Sequence, residues 1–265
     1  MKSKTLLATL TTIVVLAACP ADTNTGAVDG SMAILILSDQ VYTRSTNTDN
    51  IFSSIITYDQ YNNDLDISDG GLGGTGNIRN GRINYIIENP ADAALIPLNV
   101  DNAQLAALNG FYSNFNISRN DAHIALLYLV TTDSIDYTIL TRENIKSILN
   151  IFSMSLEITS ETVSYIYIDK DTAITAQGSQ STYPLTDIPI DDFLTDYMFN
   201  VTAETIDLTA QDINLGLKKG WNPVRTTLTI KLRLNVSNIE IDSISGDIRI
   251  SLGDSSSHKW TLNTL

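Results

Sequence analysis

From residue 227 to 236 the chain alternates without a break. Leu228, Ile230, Leu232, Leu234 and Val236 hold one phase, and Thr227, Thr229, Lys231, Arg233 and Asn235 hold the other. A period of two is that of a strand with one buried and one wet face. Burying the five aliphatic side chains is worth on the order of 8–15 kcal/mol gross, before the entropy of ordering is subtracted. A partner strand is expected from Ile239 onward. There the apolar phase moves from odd positions (Ile239, Ile241) to even ones (Ile248, Ile250, Leu252), which places a turn or bulge at Ser245-Gly246.

Shorter runs recur upstream. Met32, Ala33, Ile34, Leu35, Ile36 and Leu37 form a continuous apolar run between serines, expected as a strand covered on both faces. Further strands are expected at 51–58, 82–88, 122–131, 136–140 and 155–169, and a long loop dense in Asn, Asp and Gly at 59–76. The stretch 145–152 is open between helix and strand. One helix is expected at 101–108, capped by Asp101 and closed by Gly110, with Leu105 and Leu108 near helical spacing from Val100. This pattern predicts an all-β fold: two β-sandwich domains in series, 31–158 and 159–265, with one short helix.

The first residues read as an export signal. Lys2 and Lys4 precede a short apolar run, 6–18, too brief to span a bilayer, which closes on Leu16-Ala17-Ala18-Cys19. That closing block resembles the lipobox of bacterial lipoproteins. The resemblance implies removal of 1–18, acylation of Cys19 (palmitate among the acyl groups) and a polar tether over 19–30. Removal of 18 residues from 265 leaves 247. Cys19 is the one cysteine, so no disulfide forms within the mature chain and its stability comes from burial alone. Of 16 basic residues, two lie in the signal, which leaves 14 against 30 acidic ones. That balance opposes binding to phosphate backbones, and nucleic acid is not an expected partner.

Catalytic and metal motifs are sparse. His123 lies inside an apolar strand pattern, and neither it nor His258 has a second ligand at metal spacing. Gly253-Asp254-Ser255 with His258 has the residue types of an esterase nucleophile block. Such a block belongs after an early strand, with acid and base far downstream, whereas these residues crowd into the last thirteen. Asp64, Asp66 and Asp69 alternate as in a calcium loop, without its sixth-position glycine, where Asp69 stands, or its twelfth-position glutamate, where Thr75 stands. The glycines at 70, 71, 73, 74 and 76 open no helix, which leaves a loop tip rather than a phosphate cradle. No enzyme, metal or cofactor is expected.

The order of these motifs resembles the Bacteroidales fimbrillin family of fimbrial subunits. The residues that carry the resemblance are Cys19, the run 32–37, Thr43-Arg44-Ser45, and the strand 51–58 ending in Tyr58-Asp59. To these are added Tyr85 to Ala91 followed by 101–105, Gly220-Trp221 before the alternating strand, and Trp260 near the end. The resemblance implies transthyretin-like β-sandwiches and a lipid-anchored protein at the bacterial outer membrane and cell surface, a fimbrial subunit or adhesin. Its implied partners are other fimbrial subunits or surface ligands of host or bacteria. It also implies proteolysis after Arg44, loss of the first strand, and its replacement by a neighbour's strand, for which 260–265 is the donor candidate. Candidate O-glycosylation sites, from the same resemblance, are Ser134, Thr172 and Ser243, each between an Asp and a small or aliphatic residue. The competing expectation is a monomeric surface lipoprotein that binds carbohydrate or another nutrient.

Overall fold

The computed structural model describes residues 32–46, 56–99, 110–132, 138–150, 152–185, 200–235, 237 and 240–264. The fold is all-β. The strands are β1 Leu35–Thr46, β2 Ile56–Gln60, β3 Leu65–Ser68, β4 Thr75–Arg79, β5 Arg82–Ile87 and β6 Ile96–Pro97. Next come β7 Tyr112–Ile117, β8 His123–Leu126, β9 Leu129–Thr131, β10 Thr138–Asn150, β11 Ser155–Ile168 and β12 Thr172–Gly178. The rest are β13 Gln180–Pro184, β14 Asn200–Val201, β15 Thr205–Ala210, β16 Ile213–Leu217, β17 Gly220–Asn235, β18 Glu240–Leu252 and β19 Lys259–Thr264. One complete helical turn, Asp92–Ala94, lies among the described residues. The helix expected at 101–108 lies outside them.

Long antiparallel strands form the spine, in the order β10, β11, β17, β18, with β11 and β17 paired along the whole of β11. A smaller sheet, β16-β12-β7, stands apart from it. Six of the remaining strands close a ring with β10 by hydrogen bonds, in the order β10, β19, β1, β5, β4, β3, β9 and back to β10. Closure depends on two strands that change neighbours partway along. β1 pairs with β5 from Leu35 to Gln40 and with β19 from Val41 to Thr43. β3 pairs with β4 at Leu65 and Asp66, then with β9 at Ile67 and Ser68. Such corners let two sheets share strands. Gly81 fits the first corner. Its φ is 69°, its carbonyl accepts the Val41 N–H at 2.8 Å, and a Cβ there would land on the Tyr61 carbonyl.

Two apolar clusters result, and β11 is the wall between them. Leu156, Ile158, Ile166 and Ile168 face a cluster shared with β12, β15, β16 and β18, whereas Val163, Tyr165 and Tyr167 face one drawn from the ring strands. The expected boundary at 158 and 159 therefore falls inside one strand. The clusters cross it in both directions: Tyr112 and Ile124 belong to the first, Trp221 and Trp260 to the second.

Several expected elements differ in detail. Leu35 and Leu37 are buried, but Ile34 is partly exposed and Ile36 is 64 % exposed, so the first strand is covered on one face only. A continuous apolar run does not distinguish one covered face from two. The 59–76 loop contains β3 and the start of β4, and the 122–131 strand is split into β8 and β9 around Leu127, whose N–H donates to the Tyr165 carbonyl. Most of 145–152 is strand, in β10. The phase change in β18 falls at Asp242: Arg233 opposes Ser243 and Leu234 opposes Ile241, which leaves Asp242 as the extra residue. Ser245 and Gly246 stay in register, and Gly246 has a packing reason, since a Cβ there would strike the Leu208 side chain.

Candidate functional site

The strongest concentration of chemistry is a buried polar cluster where β10, β11, β1 and the β18–β19 loop meet. β10 supplies Arg142, whose side chain is only 8 % exposed. Its Nη1 donates to Asp39 Oδ2 at 2.7 Å, and its Nε lies 3.3 Å from both oxygens of Asp254. Nη2 adds a contact to the Ser255 carbonyl at 3.4 Å, and the guanidinium stands 5.8 Å from the centre of the Trp260 ring. β11 supplies Tyr165, which donates to Asp254 Oδ2 at 2.7 Å and stacks on Trp260 at 6.2 Å. Burial and the adjacent Asp254 charge push the Tyr165 hydroxyl well above its usual range, which keeps it a donor.

His258 is fully buried beside them. Its Nδ1 lies 3.0 Å from Ser255 Oγ, from the Ser255 backbone N and from Asp254 Oδ1, and its Nε2 lies 3.6 Å from Glu161 Oε2. Serine, imidazole and carboxylate thus stand in a row. The Ser255 amide, however, points at the same ring nitrogen that would take a proton from its hydroxyl, and the His258 N–H returns to the Ser255 carbonyl at 3.1 Å. The local geometry is that of a turn fastened by its own side chains. Glu161 also accepts from Asn144 Nδ2 at 3.0 Å and faces Arg225 at 3.6 Å.

Next to this cluster is Glu143, almost wholly buried, with Oε2 at 3.3 Å from Arg44 Nη1 and Oε1 without a partner among the described residues. Burial raises its carboxyl above the ordinary value, against the pull of Arg44 and a hydrogen bond with Thr261. A carboxyl raised in the folded state favours folding below its unfolded pKa, about 4.3, and loses that contribution as pH rises through the folded value. Glu143→Gln is therefore expected to be at least as stable as the parent at pH 7, with a shallower decline above about pH 4.3. Urea titrations across that range check this; a variant weaker at pH 7 would mean that the Arg44 pair outweighs burial.

The expected sites fall as follows. Cys19 and Ser134 lie outside the described residues. Arg44 is in β1, its main chain opposite Tyr58. Lys259 Nζ sits over the rings of Tyr42 and Tyr58 at 4.7 and 4.8 Å, and burial followed by the Glu143 charge pushes the Tyr58 hydroxyl up to about 12. Ser243 is exposed on β18, but Thr172 is buried and its hydroxyl donates to the Lys170 carbonyl at 2.9 Å, so a glycan there meets packed protein. The acids at 64, 66 and 69 do not converge. Asp69 accepts the N–H groups of Gly71, Leu72 and Gly74 and the Tyr85 hydroxyl; Asp64 accepts the Asn80 N–H, and Asp66 pairs with Arg79. His123 Nδ1 is 3.3 Å from Asp169 Oδ2, whose other oxygen accepts the His123 N–H. No group of metal-ligating residues is found among the described residues. Sequence reading missed Asp39, Arg142, Glu161 and Tyr165. The available signal was Arg142-Glu143-Asn144, three polar residues set inside an apolar strand. Comparison with protein-family models, with curated proteins and with solved structures finds no match.

Proposed function

We propose that the chain is a lipid-anchored protein of the bacterial cell surface, a fimbrial subunit or adhesin that works as a closed unit and keeps its strands in its own sheets. The observation that supports the closed unit is the place of β19. It lies between β1 and β10, parallel to one and antiparallel to the other, with Trp260 and Thr261 buried. A strand used this way is not free to fill a neighbour's groove. β1 is held on its other side by β5 and β2, and Arg44 sits in the β2-paired part with its guanidinium on Glu143. A protease needs an unpaired segment, so cleavage after Arg44 requires local opening first. Cys19 would supply the anchor, and the acidic body would stay off anionic headgroups.

Limited trypsin digestion of the folded protein tests the closed unit. The bond after Arg44 is expected to survive while exposed lysines and arginines are cut, with no growth in particle size. A new N-terminus at Ser45 accompanied by polymerisation would overturn it. Cys19→Ala tests the anchor, and retention of that variant in the membrane fraction with unchanged mass would count against lipidation.

A further inference from the structure

The fold leaves an apolar sheet face open. Ile36 on β1 and Ile86 on β5 stand directly opposite each other in the ladder and are 64 % and 44 % exposed. Ile34, two residues before Ile36 in the same alternation, is 43 % exposed. β4 continues the row with Thr75, opposite Ile86. The next row is Ser38, Asn84 and Asn77, and the one beyond it Gln40, Arg82 and Arg79, the last paired with Asp66. Apart from Glu88, exposed at its border, the patch and the row beside it carry no charge.

Area and position together select what covers this patch. Three isoleucines, each about half exposed, offer a few hundred Å² at most. The same patch on two copies still falls short of about 1,000 Å², the least that a stable specific interface needs. A protein partner has too little here to hold. The described chain begins at Met32, so the segment that carries Cys19 joins the fold two residues from Ile34. Met32 is thirteen positions after Cys19, a reach of at most about 45 Å. The apolar end of the face is therefore the end that a lipid on Cys19 holds nearest to a bilayer.

We propose that the face of Ile34, Ile36 and Ile86 rests on the lipid surface to which Cys19 tethers the chain. This contact deepens the anchored reading and depends on it for the tether. Tethering supplies a high effective concentration, so a patch too small to recruit a free protein suffices. The isoleucines enter the boundary between headgroups and acyl chains, while Ser38, Thr75 and Asn84 offer the headgroups hydroxyl and amide hydrogen bonds. The rest of the body is acidic, so the contact is with zwitterionic lipid and not with anionic headgroups.

Photolabelling from within the lipid tests it. The chain from Cys19 onward keeps every described residue and lacks the apolar run 6–18, which would bind lipid by itself. Its single thiol is coupled to a maleimide lipid in phosphatidylcholine vesicles that also carry a phosphatidylcholine with a diazirine in its acyl chain. After irradiation, lipid adducts are expected to concentrate in peptides covering 32–38 and 83–88. The double variant Ile36→Thr, Ile86→Thr keeps β-branched side chains, and its melting point shows whether the fold persists. It is expected to lose about tenfold in adducts, the worth of roughly two buried methylene groups, whereas Ile148→Thr on β10 loses none. Adducts spread over every exposed face, or an undiminished yield from the double variant, would overturn the contact. So would unlabelled 32–38 and 83–88 peptides, the result if a second copy or another segment of the chain covers the face. Chemical coupling makes the outcome independent of acylation in the cell. An unacylated Cys19 in protein from the native host would instead sink the anchored reading and leave the vesicle result standing.

Discussion

Arg142→Ala is expected to lower stability by about 3 kcal/mol, near the bottom of the range for breaking a buried ion pair. The low end applies because Asp39, one of its two carboxylate partners, is 49 % exposed and water takes over part of the lost interaction. Asp254 is the more costly partner, because its side chain is largely buried and would keep no cationic side chain other than the His258 ring beside it, with the Tyr165 hydroxyl and the Ser255 N–H as its remaining donors. For a chain of this length, that corresponds to a melting point lower by about 6–12 °C. The effect has a pH signature. Burial by itself would raise the Asp254 carboxyl, but the hydrogen bond with His258, the charge of Arg142 and the Tyr165 hydroxyl outweigh it and hold it below the ordinary value. A depressed carboxyl contributes stability that is full above its unfolded pKa, about 3.9, and lost as pH falls through the folded value. The gap between parent and variant should therefore be widest near neutral pH and narrow below about pH 4. An unchanged urea midpoint at pH 7 would remove the cluster from the account of stability.

Trp221→Ala is expected to cost about 3–5 kcal/mol, the range for removing a large aromatic from a packed core. Trp221 is completely buried, lies edge-on to Tyr167 at 5.5 Å, and exchanges backbone hydrogen bonds with Met32 at 3.0 and 3.1 Å. Its indole Nε1 also donates to the Glu88 carbonyl at 2.7 Å. Trp221→Phe keeps most of the apolar contact and leaves that carbonyl without its donor, at a cost of about 1–3 kcal/mol. The two variants are expected in that order in calorimetry. Equal losses would assign the effect to the hydrogen bond and take it away from packing.

What could be read along the chain and what could not divides by range. The alternating strand of 227–236 was legible, yet β17 begins at Gly220 and runs through Pro223, a residue with no N–H to give a ladder. It is tolerated because Pro223 lies one residue before the stretch that β18 pairs, with its carbonyl accepting the Gly253 N–H on that side. The crowding of Asp254, Ser255 and His258 was likewise legible, because residues at most four positions apart in one turn are neighbours in any fold. Asp39, Arg142 and Glu161 were not, since Arg142 and Glu161 lie about a hundred residues from Asp254 and Asp39 about twice as far, and only sheet pairing brings them together.

By itself the sequence determined that the chain is built of strands and where about half of them run, since side-chain alternation acts between residues adjacent along the backbone. The tertiary structure alone decided that β19 lies between β1 and β10, that β11 walls two cores, and that one face of β1 stays wet. Strand neighbours are selected by the joint burial of faces contributed by distant segments, and no periodicity within a single strand records which partner it will take.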